Sequence, residues 1–144
     1  MIKKVHNTFA ILAFLTITLF WCSTIFVELF CDYEIIALIK SLIVLPGLPI
    51  LIVSMIITGA TGNILAKKSK KRELILLKRK RVPFIATIGL FVMVPSAIYL
   101  DYLASKELFD NIFYTVQAIE LFGGAINILL MFSNIRDSKR ELKS

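Results

Sequence analysis

Residues 8–30 read TFAILAFLTITLFWCSTIFVELF, a stretch without charge until Glu28. About 20 apolar residues in a helix suffice to cross roughly 30 Å of hydrocarbon, so this stretch predicts a transmembrane helix. Lys3 and Lys4 precede it as they would precede a signal peptide. A signal peptide's apolar region is about 7–15 residues and ends at a small-residue site, so cleavage is not expected here. Three more apolar blocks follow, and the expected spans lie at about 8–30, 35–60, 82–103 and 111–134. With 58% of its residues hydrophobic and 19% charged, the chain departs from the about 45–50% and 25% of soluble domains. The expected fold is all-α: a four-transmembrane-helix bundle forming a single integral membrane domain over residues 1–144.

Within the second block, Pro46-Gly47-Leu48-Pro49 removes backbone donors, which predicts a kinked second helix. The block then trails into Thr58-Gly59-Ala60-Thr61-Gly62-Asn63, read as a helix exit. Pro83 suits the first turn of the third helix, and Pro95 falls in its outer half. The fourth block is the least apolar, carrying Gln117, Glu120, Gly123, Gly124 and Asn127.

Orientation follows from the basic residues. Fifteen of the 17 Lys and Arg residues fall in the amino-terminal tail, the loop between the second and third blocks, and the carboxy-terminal tail. The positive-inside rule places all three in the cytoplasm, both termini included. That loop holds Lys67, Lys68, Lys70, Lys71, Arg72, Lys78, Arg79, Lys80 and Arg81 around an apolar run, Leu74-Ile75-Leu76-Leu77. It reads as a short basic amphipathic cytoplasmic element lying on the membrane, its cations touching anionic lipid headgroups at about 1 kcal/mol each. The net charge of +7 is thereby a matter of topology, and no nucleic acid partner is expected.

Glu120 is the residue most suited to chemistry. Nine residues past Asn111, it sits about 13 Å along the helix, near the bilayer centre. A carboxylate there costs about 2.5–3.5 kcal/mol on insertion scales and should face a partner, water or the bundle interior. A protonatable acid at that depth is what proton-coupled transport uses. Phe113, Gln117, Glu120, Gly124, Asn127 and Met131 recur at spacings of three and four along one stripe. Gln117 can hydrogen-bond Glu120 one turn away, and Gly123 and Gly124 leave room for another helix. The stripe is readable as a packing seam with polar glue or as an ion or solute site made of Glu120, Gln117 and Asn127.

Glu28 and Lys40 lie at comparable depth near the outer side and form a candidate ion pair, with outward snorkelling of Lys40 as the alternative. Asp101, between Tyr99 and Tyr102, belongs to an interfacial aromatic belt. Cys22 and Cys31 are about 13 Å apart on one helix, too far for a disulfide between them. No Walker loop, G-x-S-x-G or H-E-x-x-H occurs, so no enzyme and no cofactor are expected. His6, the single histidine, is the remaining haem or metal candidate.

The tract FDNIFYTVQAIELFGGAINILLMFSNIRD at 109–137, with TGATGNILAK at 58–67, resembles a group of small four-helix bacterial membrane proteins without an assigned activity. The resemblance covers about half of the chain and implies a location in the bacterial cytoplasmic (inner) membrane. Fainter is the similarity of His6 and WCSTIFVEL at 21–29 to cytochrome-like and copper-resistance membrane domains, which would imply haem or metal at His6. Such cytochromes use several histidines, where this chain has one. The expected function is that of a non-enzymatic accessory or assembly component, a homo-oligomer or a subunit of a membrane complex. The alternative is a transporter of a proton, cation or small solute using Glu120.

Overall fold

The computed structural model describes residues 1–68 and 72–143, without the side chains of residues 72–75, 77–79 and 141–143. Its elements are α1 (Ile2–Phe30), α2 (Tyr33–Leu42), α3 (Leu48–Lys68), α4 (Arg72–Ile88), α5 (Val94–Ser105) and α6 (Asn111–Lys143). Wide π-type turns at Ile43–Gly47 and Gly89–Met93 join α2 to α3 and α4 to α5. The described chain is all-helical, and four of its helices, counted through these turns, are long and apolar enough to cross a membrane.

Prolines account for both interruptions. Pro46 has no N–H for the carbonyl of Leu42, and its ring pushes the preceding residue out of the α region. Leu45 accordingly adopts φ −142°, ψ 116°, between regular helix on either side. Pro95 falls in the first turn of α5, where its missing N–H leaves the least unsatisfied. The turn before it shifts register, so that Val94 N–H bonds Gly89 O.

The helix that carries the third apolar span, Lys80–Ser105, is described from Arg72, so Pro83 lies inside α4 rather than in a first turn. Leu74-Ile75-Leu76-Leu77 forms early turns of that same helix and not a separate surface helix. Leu, Lys and Arg are strong helix formers, and one proline at an exposed position withdraws a single hydrogen bond without ending the helix. Thr87 Oγ1 donates to the Pro83 carbonyl at 2.8 Å just above it.

Cys31 and Asp32 reverse the chain between α1 and α2, and Lys106–Asp110 reverse it between α5 and α6. Both reversals lie at one end, here the turn end. At the other, the basic end, the His6 ring meets Thr58 and Thr61, and Arg81 meets Asp137. Packing runs in layers between them. Val27, Ile36, Leu100, Leu103 and Phe113 fill the turn-end half, and Ala13, Ile17, Leu51, Ile85 and Met131 the basic half. Two glycines permit the closest helix approaches: a Cβ at Gly47 would lie 2.5 Å from Phe20 Cζ, and one at Gly124 2.9 Å from Trp21 Cδ1.

Candidate functional site

The α6 stripe faces inward along its whole length, since Phe113, Gln117, Glu120, Gly124, Asn127 and Met131 are all buried. It meets α2 at the level of Glu120. There Lys40 reaches across from α2, and its Nζ donates to Glu120 Oε2 at 3.1 Å. The pair is enclosed, with 1% of the Lys40 side chain and 10% of that of Glu120 exposed. Gln117 Nε2 donates to the same carboxylate oxygen at 3.2 Å, and Thr24 Oγ1 of α1 accepts from Lys40 Nζ at 3.5 Å. Three chain segments thus converge on one charge pair.

This arrangement replaces the expected pairing of Glu28 with Lys40. The lysine stem is long enough for its ammonium to be carried past α1 to the carboxylate on α6, where a second donor already waits. Glu28 stays near the cluster at the end of α1, half-buried, with Oε1 enclosed and receiving no hydrogen bond. Nor does Lys40 snorkel outward. An ammonium in an apolar interior needs a counter-charge, and Glu120 supplies it directly.

Asn127 stands apart from this group. Seven residues beyond Glu120, or about 10 Å along the axis, it is fully buried, and its Nδ2 donates to Ile85 O at 3.3 Å. Its role is to join α6 to α4. Gly124 receives the indole of Trp21, whose Nε1 donates to Leu121 O at 2.9 Å, tying α1 to α6 just below the ion pair.

His6 Nδ1 lies 3.1 Å from Thr58 O and 3.0 Å from Thr61 Oγ1. Thr61 already donates its own hydroxyl proton to Ile57 O at 2.6 Å, so the histidine nitrogen is the donor in both contacts. The ring packs on Gly62, where a Cβ would approach Cε1 to 3.2 Å. Among the described residues no group of three His, Cys, Asp or Glu side chains could hold a metal ion.

Of the basic loop, Lys67, Lys68 and Lys80 are exposed at the basic end, while Arg81 turns to Asp137, with Nη1 and Oδ2 2.7 Å apart. Lys70 and Lys71 lie outside the described residues, as do the side chains of Arg72, Lys78 and Arg79. At the turn end Tyr99 and Tyr102 stack, and Lys106 Nζ sits 4.5 Å from the Tyr102 ring centre.

No family model, curated protein or solved structure matches this chain. Sequence reasoning found Gln117 and Glu120 as neighbours; it missed Lys40 as their partner, Thr24 as the fourth member, and Trp21 as a cross-helix donor.

Proposed function

We propose that this is a multi-pass protein of the bacterial cytoplasmic membrane, crossing it four times with both termini inside, and that it acts as a non-enzymatic accessory or assembly component. Membership of the small four-helix bacterial proteins it resembles is part of this reading. The distribution of side chains supports the membrane setting. Phe91 and Phe122 are each 71% exposed, whereas Lys40 is 1% and Asn127 0% exposed. Water favours the reverse arrangement, and hydrocarbon favours this one. The break at Leu45–Pro46 then becomes a kink in the second span, and the exposed lysines of the basic end meet anionic headgroups.

The observation that carries the accessory reading is the Lys40–Glu120 pair itself. Both charges are spent on each other inside the bundle, and Gln117 and Thr24 add hydrogen bonds that hold them there. Such a pair fixes which helices meet and in what register, the best-attested use of buried ionic groups. The outer, apolar face of the bundle is left for lipid and for a second copy or a larger membrane complex.

A second reading is favoured by one observation: Glu28 lies close enough to the Lys40–Glu120 pair to interact with both charges, and a transporter could exchange a proton or cation there. Proton flux into liposomes carrying the purified protein separates the two. The accessory reading predicts the same flux for wild type and for Glu120→Gln, the variant being less stable because Lys40 loses its counter-charge. Flux driven by an imposed gradient in wild type and abolished by Glu120→Gln would replace it with the transport reading. Haem at His6 is the remaining alternative, and the purified protein is expected to show no Soret absorption.

A further inference from the structure

Beside the ion pair lies a narrow cavity of ≈ 20 Å³, measured over the positions a water centre can take. Trp21, Thr24, Leu51, Met93, Ala97 and Glu120 are among its lining residues. A water needs about 10–15 Å³ on this scale together with two to four polar partners. The volume is sufficient for one molecule, and the partners decide whether it stays dry.

Two polar side chains, Glu120 and Thr24, line this space, and each has bonding capacity left over. Among the described residues the hydrogen bonds to the Glu120 carboxylate, from Lys40 and from Gln117, both end on Oε2, and nothing donates to Oε1. Thr24 is the second. Thr18, Thr58 and Thr61 each return their hydroxyl proton to a carbonyl one turn back, at 2.6–2.7 Å. Thr24, buried to 2% exposure, makes no such bond among the described residues; its oxygen accepts from Lys40 and its proton remains to be given.

We propose that one water molecule is bound in this cavity as a built part of the ion pair, accepting a hydrogen bond from Thr24 Oγ1–H and donating one to Glu120 Oε1. The occupant is neutral because the charge of Glu120 is already met by Lys40, and most of the cavity wall is apolar, which would strip a metal cation of its shell without replacing it. The water completes what the four side chains leave undone. Without it, Glu120 Oε1 has no donor among the described residues, in surroundings that are mostly apolar. The site goes beyond the accessory reading and needs only that the pair exists, whichever function the pair serves.

The test is a structure of the full chain in lipid at a resolution that shows ordered waters, for wild type and for Thr24→Val. The expected wild-type result is one density peak within about 2.6–3.2 Å of both Thr24 Oγ1 and Glu120 Oε1. Thr24→Val, which keeps the shape and removes the donor, should lose the peak while Lys40 and Glu120 stay paired. Should that variant not fold, Ala97→Val narrows the cavity and leaves both polar partners, and the peak should again be lost. An empty wild-type cavity in a map with waters elsewhere overturns the proposal. So does a peak that persists in Thr24→Val, or one that acquires anomalous signal when rubidium replaces sodium, which would make the occupant a cation.

Discussion

Among the described residues two ion pairs tie α6 to other helices, and they differ in nearly everything but chemistry. Lys40–Glu120 is enclosed by apolar layers on both sides, with Gln117 donating to the carboxylate and Thr24 accepting from the ammonium. Arg81–Asp137 sits at the basic end, the Arg81 side chain 24% exposed, with Asn134 at 3.4 Å and Arg136 at 3.8 Å as secondary partners. Either partner of the inner pair is stranded if the other is removed. In the outer pair Asp137 is buried too, but Arg81 is partly exposed and Arg136 stands 3.8 Å from Asp137 as a spare cation. The comparison teaches that the worth of an ion pair here is set by what its surviving half can turn to.

The difference is broken most severely by removing half of the inner pair. Lys40→Met or Glu120→Leu alone should destabilise the protein by about 3–5 kcal/mol, seen as a large drop in thermal midpoint in lipid or detergent. Gln117→Leu leaves the pair but withdraws a donor from a charged acceptor, and a loss of about 1.5–3 kcal/mol is expected in the same assay. Trp21→Phe tests a neutral tie in the same layer: it keeps the ring on Gly124, removes the bond to Leu121 O, and should cost about 0.5–1.5 kcal/mol. Arg81→Ala is expected to cost least, about 0.2–1 kcal/mol, and its effect should shrink in high salt. Salt should leave the Lys40→Met effect unchanged, and a matching salt response at the two pairs would erase the contrast between them.

The four long apolar helices were legible because length and charge placement state them directly: runs such as 8–30 and 82–103 sit between basic or acidic clusters. The inward stripe of α6 was legible for the same kind of reason, since Phe113 to Met131 recur at helical spacing. What stayed hidden was the long-range partner. Lys40 and Glu120 are 80 residues apart, and periodicity on one helix does not say which face of another it meets. One signal pointed to it. Lys40 lies seven residues into α2 and Glu120 nine into α6, about 10 and 13 Å from helix starts at the same end. Matching depths among the few charges inside the apolar blocks favour Glu120 over Glu28, which lies near the end of α1. The apolar span Lys80–Ser105 covers the block read at 82–103; what Pro83 did not reveal is that it lies inside a helix described from Arg72, because the Leu- and Lys-rich residues ahead of it are good helix formers.

The claim that Lys40 and Glu120 form a fixed structural pair is tested most directly by a double-mutant cycle in lipid, measuring the unfolding free energy of Lys40→Met, Glu120→Leu and the two combined. A buried pair replaced by apolar side chains of similar size is often neutral or stabilising, whereas either single change strands a charge. The account predicts a double variant closer to wild type than either single variant, with a coupling of several kcal/mol. Additive losses, with the double variant the least stable of the three, would contradict it.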